Sequence, residues 1–290
     1  MKRNMKIAAF VTVVFLFAAG PVSAAYIIPR IGGGKTVGFP MIMPEIFFNG
    51  QDLLIYDEDM RPFPTLEWCG APVLRALEPP DEFDPSAPWS VLTGKAYNFQ
   101  YGWDSAYLDE FTYPFPAGSG VWVQVLEQSP ELETYYRDAG YAPIFGTKDS
   151  NGVASSDIWY WDKGMRHNTY AVPEEYYGRF SATYKVYLGD RITGAELVDP
   201  NDATPLYGSS IITSTWMRPC PVIVPGDIDR DCIVDLVDFA LLAGNWLSSG
   251  CSSPCWCDES DMDQNTVVDV PDAAAVFENW LMDGLASPSE

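Results

Sequence analysis

The feature that most limits how this chain can fold is a duplication. Residues 227–247 and 261–281 align without a gap at an offset of 34, and nine of the 21 positions are identical. Asp227, Asp229, Val234, Asp235, Asp238, Ala240, Asn245, Trp246 and Leu247 match Asp261, Asp263, Val268, Asp269, Asp272, Ala274, Asn279, Trp280 and Leu281. A segment repeated once folds as two copies of one supersecondary unit, and a unit this short buries its apolar face only against its twin. Acidic residues dominate it: positions 226–283 hold thirteen Asp and Glu against the single basic residue Arg230. Charge of one sign at that density opposes a compact state unless cations neutralise it.

The spacing of the acids indicates the cation. Asp227, Asp229, Asp231, Asp235 and Asp238 occupy positions one, three, five, nine and twelve of a twelve-residue loop, with the Ile233 carbonyl at position seven. In the second copy Asp261, Asp263, Asn265, Asp269 and Asp272 take the same places, with the Val267 carbonyl. Ca²⁺ takes six to eight oxygens at ~2.3–2.6 Å, and alternate residues of a tight loop can all turn oxygens inward. Two Ca²⁺ ions are therefore expected, the second loop carrying one charge fewer because Asn265 replaces an Asp. Asp238 and Asp272 fall one turn into an exiting helix, near the positive end of its dipole, and Asp235 and Asp269 are placed to cap it. Leu236, Phe239, Leu242 and Trp246 in one helix, and Val270, Ala273, Phe277 and Trp280 in the other, supply the apolar residues that should pack together. Residues 221–226 and 251–260 are poor helix formers, so a calmodulin-like pair with an entering helix before each loop is not supported.

A calcium loop followed only by an exiting helix, repeated once, resembles the type I dockerins. The resemblance covers residues 226–283, about a fifth of the chain. It implies docking to a cohesin domain, usually on a scaffold protein of a polysaccharide-degrading complex. In that family the tenth and eleventh loop residues help choose the cohesin, often as a small hydroxyl pair. Here these partner-facing candidates are Leu236 and Val237, and Val270 and Pro271, all apolar. The sixth loop position, Gly in EF-type loops, is Cys232 and Thr266. A positive φ there strains a residue with a Cβ by ~1 kcal/mol or more, most for β-branched Thr266.

The rest of the chain reads differently. Lys2, Arg3 and Lys6 precede the 13-residue apolar run 7–19, then Gly20, Pro21 and the small-residue site Val22, Ser23, Ala24. Such a pattern is a secretory signal peptide, too short to span a bilayer, so the expected product is secreted or extracellular without a membrane anchor. With 40 acidic residues against 17 basic ones, a net charge of −23 repels phosphate backbones and argues against nucleic-acid binding. The expected organisation is a signal peptide over 1–24, a β-rich domain over 26–220, a Pro-bracketed linker over 221–225, the calcium module over 226–283 and a polar tail over 284–290.

Short alternating runs at 46–56 around Asn49 and Gly50, 96–103, 121–126, 184–188 and 211–216, punctuated by Pro and Gly, predict a mainly β domain built as a β-sandwich. A short helix is expected at 130–138. Tyr97, Phe99, Tyr101 and Trp103 should share one strand face, while Trp159, Tyr160 and Trp161 cannot all point inward. Rings left outside would offer polysaccharide a stacking platform. In an oxidising compartment Cys232 should pair with one of Cys251, Cys255 and Cys257, and Cys69 with Cys220; a zinc site in the 251–257 cluster is the sharper alternative. His167, the single histidine, has no nucleophile context and suits a surface or sheet-edge position. No catalytic residue is assigned. The favoured function is a non-catalytic module docked through calcium to a cohesin-like partner in a polysaccharide-related assembly. The alternatives are a dockerin-bearing glycoside hydrolase and a structural surface protein whose calcium module stabilises its C-terminus. With a neutral ligand at Asn265 and β-branched Thr266 at position six, isothermal titration should resolve two unequal calcium sites, the weaker in the second loop; two equally tight sites would contradict this.

Overall fold

The computed structural model describes residues 26–36, 41–56, 71–107, 113–253 and 255–285. The signal-peptide segment, Cys69 and most of the polar tail lie outside the described residues. In chain order the strands are β1 (Tyr26–Ile27), β2 (Glu45–Phe48), β3 (Leu53–Tyr56), β4 (Glu82–Phe83), β5 (Lys95–Asn98), β6 (Gly102–Tyr107) and β7 (Ser119–Gln128). Then come β8 (Glu133–Tyr136), β9 (Ala142–Ile144), β10 (Ile158–Trp161), β11 (Arg166–His167), β12 (Thr169–Pro173), β13 (Gly178–Asp190) and β14 (Ser210–Arg218). Two helices follow, α1 (Leu236–Gly244) and α2 (Val270–Glu278). The chain is thus mostly β, with two small helices at its C-terminal end, and no helix among the described residues is long and apolar enough to cross a membrane.

Three four-stranded sheets, ordered β10-β7-β13-β14, β11-β6-β2-β3 and β5-β12-β8-β9, accompany a two-stranded β1-β4 pair. Period-2 alternation makes the long strands: Val121 and Val123 of β7 and Tyr184 and Val186 of β13 are fully buried, and the two strands pair antiparallel over Ser119–Gln128. The turn between β2 and β3 forms as its sequence requires. Asn49 Oδ1 accepts the N–H groups of Gln51 (2.8 Å) and Asp52 (2.7 Å), and Gly50 supplies φ 94°. Inward residues of all three large sheets, among them Ile46, Trp103, Val123, Trp161, Tyr170, Tyr184 and Trp216, meet in one core cluster. A separate cluster of Val224, Ile228, Val234, Leu242, Cys251, Val268 and Val276 lies under the two helices.

Several local expectations are corrected. The run 96–103 is not one strand. Asn98 Oδ1 accepts the Gln100 N–H at 2.7 Å and its Nδ2 donates to Val73 O at 3.0 Å, a local bond that replaces the ladder and bends the chain between β5 and β6. The four aromatic residues therefore separate: Tyr97 and Phe99 join a small cluster with Phe83, Leu92 and Tyr141, whereas Tyr101 and Trp103 enter the main core. All four are buried, so they offer no exposed platform. Trp159 and Trp161 point into the core and Tyr160 turns to the other face, its ring 5.3 Å from that of Trp122. The segment 130–138 holds β8 and a 3₁₀ turn rather than a helix. Its Thr134, Tyr135 and Tyr136 favour strand, and pairing to β12 and β9 outweighs the weak helical pattern.

The cysteine pairing also differs from expectation. Cys220 is bonded to Cys232, not to Cys69, and Cys251 is bonded to Cys257, leaving Cys255 as a free thiol. Sequence could not choose among these partners because chain proximity, not spacing rules, selects them. Disulfide bonding of Cys251 and Cys257 also removes the zinc site considered there.

Trp216 is fully buried with its ring centroid 5.1 Å from that of Tyr101 and 4.2 Å from that of Tyr170. Replacing it with Ala should destabilise the β domain by about 3–5 kcal/mol, read as a lowered urea midpoint with the C-terminal helices unaffected.

Candidate metal centres

Each acidic loop is closed by its own twelfth residue. Asp238, fully buried in α1, accepts the N–H groups of Ile228 (2.5 Å) and Asp229 (3.2 Å) on Oδ1 and that of Asp235 (2.7 Å) on Oδ2. Asp272 of α2 does the same for Met262 (2.7 Å), Asp263 (3.2 Å) and Asp269 (2.9 Å). Position five accepts from position seven: the Ile233 N–H donates to Asp231 Oδ1 and the Val267 N–H to Asn265 Oδ1, both at 2.9 Å. Position one accepts from position six, Cys232 N–H to Asp227 at 3.3 Å and Thr266 N–H to Asp261 at 2.9 Å. Cys232 (φ 83°) and Thr266 (φ 80°) both adopt the positive φ that their position implied. Asp235 caps α1 by accepting the Val237 N–H at 2.7 Å, and Asp269 stands at the corresponding N-cap of α2.

The two loops are related by a pseudo-two-fold ladder. Ile233 bridges to Asp283 and Val267 to Ser249, both antiparallel. Val234 N–H to Met282 O (3.1 Å) and Gly284 N–H to Cys232 O (2.8 Å) correspond to Val268 N–H to Ser248 O (2.9 Å) and Gly250 N–H to Thr266 O (2.9 Å). Ile233 and Val267 thus occupy non-hydrogen-bonded positions, where the ladder runs through their neighbours and does not use their own carbonyls. Those are the two carbonyls assigned to loop position seven. The ladder extends the duplication past residue 281, and its one sequence trace is the matched pair Gly250 and Gly284.

Carboxylate oxygens of Asp227, Asp229 and Asp231 lie within 4.8 Å of one another, as do those of Asp261, Asp263 and Asp272. Two oxygens on one Ca²⁺ at ~2.3–2.6 Å stand no more than ~5 Å apart, so both groups have the size to share an ion. Asp227 is 2% exposed and its Oδ1 has no hydrogen-bond partner; Asp269 Oδ1 in the other loop is likewise buried and unpartnered. An orphan buried carboxylate oxygen costs ~1–3 kcal/mol or more, a penalty that a cation would remove. The donors are all hard oxygens, which suits Ca²⁺ over thiolate- or imidazole-seeking metals. Asn265, at position five of the second loop, donates from Nδ2 to Asp263 Oδ2 at 3.0 Å. Asp238 stays outside the first trio, and Asp235 is turned to its cap.

The partner-facing candidates are all on the surface: Leu236 is 70% and Val270 69% exposed, with Val237 and Pro271 also exposed. Phe239 of α1 and Phe277 of α2 are also exposed, their ring centroids 5.7 Å apart. They pack on each other between the two helices, as expected, but at the surface, while Leu242 and Val276 fill the interior. His167 lies in β11 at a sheet edge, its Nδ1 3.0 Å from Phe99 O. No protein-family model matches the chain, and no curated protein matches it.

Burial first, and then the Asp238 charge, pushes the Asp227 carboxyl up to about 6. Burial followed by the charges of Asp231 and Asp238 pushes Asp229 up to about 7, and burial raises Asp231. A carboxyl whose folded pKa exceeds its unfolded value near 3.8 binds more protons in the fold. Its stabilising contribution is complete below about pH 4 and is lost as pH rises through about 6 to 7. In chelator, the C-terminal module should therefore open more readily at pH 7 than at pH 4.5. With calcium, which displaces those protons, the order should reverse. Hydrogen exchange across residues 226–285 at both pH values reads this.

Proposed function

We propose that residues 226–283 form a dockerin-like module that binds two Ca²⁺ ions and attaches an exported chain to a cohesin-like partner. Asp227, Asp229, Asp231, Asp235 and Asp238 with the Ile233 carbonyl would hold one ion, and Asp261, Asp263, Asn265, Asp269 and Asp272 with the Val267 carbonyl the other. The observation that carries the calcium reading is the pair of acidic trios, each within 4.8 Å, accompanied in each loop by a buried carboxylate oxygen without a partner. When bound, the ions supply charge neutralisation and closure of the loops. Docking is supported by the exposed Leu236, Val237, Val270 and Pro271 together with Phe239 and Phe277, an apolar patch that a partner would cover. Its apolar character favours a cohesin-like surface richer in apolar groups than one that reads hydroxyl pairs.

Residues 26–220 are proposed as a β-sandwich passenger of non-catalytic type. Support for the sandwich is the main core cluster shared by inward residues of three sheets. The polysaccharide-related, extracellular setting rests on the resemblance of the C-terminal module and on the leader-like residues 1–24. The buried strand-borne rings of Tyr97, Phe99, Tyr101 and Trp103 offer no carbohydrate contact.

Metal and fold should be coupled, since a loop of like charges has little reason to close without its ion. Chelation of the full mature chain is expected to melt the C-terminal module and leave the β domain folded, giving two calorimetric transitions. Immobilised cohesin domains should retain the chain in calcium and release it in chelator. A single melting transition unmoved by chelator would remove the calcium reading; calcium binding without retention on any cohesin would remove the docking reading alone.

A further inference from the structure

The two loops match in sequence but not in surroundings. Asp229, Arg230 and Asp231 are half-buried and Cys232 is buried, whereas their counterparts Asp263, Gln264, Asn265 and Thr266 are all exposed. The β domain covers the first loop. Gly178, at the start of β13 with φ 107°, lies so close that a Cβ there would stand 3.4 Å from Asp231 Cα and 3.5 Å from Asp229 O. Glu259, from the segment between the repeats, accepts the Arg230 Nε–H at 2.5 Å and lies 3.6 Å from Arg179 of β13. Cys220, two residues past β14, is bonded to Cys232 at the sixth loop position. Among the described residues no ion pair or disulfide reaches 261–272.

We propose that the two calcium loops divide their work. The first is the joint between the β domain and the C-terminal module, locked by its ion; the second is the calcium loop left open to a partner outside the chain. This rests on the calcium-binding reading. An ion in the first loop draws Asp227, Asp229 and Asp231 onto one centre, and the backbone of Asp229 and Asp231 is the surface on which Gly178 sits. Filling the site stiffens that surface and the Cys232 backbone beside it. Without the ion, repelling carboxylates underlie the contact, and the loop is tethered by the disulfide and the Arg230–Glu259–Arg179 bridge. Positions four to six of the second loop, with Gln264, Asn265 and Thr266 in place of Arg230, Asp231 and Cys232, have no ionic or covalent means of making such a joint.

The test follows reduction of Cys220–Cys232 in the full mature chain. Dithiothreitol reduces the bond to two thiols while closing to its own cyclic disulfide, and the released cysteines are alkylated and counted by mass spectrometry. Saturating calcium should slow this reduction roughly tenfold or more in the wild type and in Asn265→Ala, but not in Asp231→Ala. Hydrogen exchange over residues 176–180 should follow the same pattern. If Asp231→Ala does not fold, the isosteric pair Asp229→Asn and Asp263→Asn gives the same comparison. Two ions bound by titration, with reduction and exchange indifferent to calcium, would overturn the joint and leave the calcium reading intact. Equal loosening by Asn265→Ala and Asp231→Ala would also overturn it. Absence of any calcium binding would remove both.

Discussion

Like-charged carboxylates forced into close quarters are the constraint on which the C-terminal module of this structure depends. Asp227, Asp229 and Asp231 sit within 4.8 Å of each other with Asp238 buried behind them, and the second loop gathers Asp261, Asp263 and Asp272 as tightly. Backbone N–H groups absorb part of that charge: Asp238 and Asp272 each take three. Those bonds hold the loops in shape, but they leave the Asp227 and Asp269 Oδ1 atoms buried without partners. The raised carboxyls of Asp227 and Asp229 express the same unpaid electrostatic strain from the side of protons. A divalent cation would relieve all of it at once, which is the physical ground for proposing that metal binding and folding are coupled in this module.

The β domain is held by a different force. Its core is aromatic: Trp103, Phe145, Trp159, Tyr170, Tyr184 and Trp216 meet edge to face or tilted, Trp161 is buried in the same cluster, and inward residues of three sheets share it. Large rings fill the space between sheets with few side chains and bury much apolar area each. That use of aromatics explains why so few of the strand-borne rings remain outside.

Duplication followed by divergence gives the module its asymmetry. Loop positions one, three, nine and twelve are Asp in both copies. Positions four to six differ, and they are the residues that meet the β domain in one copy and solvent in the other. Arg230 with Glu259, Cys232 with Cys220 and the close approach of Gly178 tie one loop to β13 and β14. An internal pseudo-symmetry thus carries two different environments without altering the oxygen pattern.

Much of the module was legible in the chain itself. The ungapped repeat, the alternate-residue acids, the exiting helices with their caps and the positive φ at Cys232 and Thr266 follow from local spacing, since each depends on residues within twelve positions. The long strands β7, β13 and β14 and the Asn49–Gly50 turn were legible for the same reason: period-2 burial and turn chemistry are local. Elsewhere distant partners decided the outcome. The break at Asn98 needs Val73 and the strand β8 needs β12, while the disulfides join cysteines close in sequence whose choice of partner the spacing left open. The sequence alone determined that two acidic loops must each gather oxygens around a centre. Only the tertiary structure decided that one of them lies against the β domain while its twin stays exposed, because that difference arises from contacts such as Gly178 with Asp231 and Arg179 with Glu259, more than fifty positions apart, which no local pattern records.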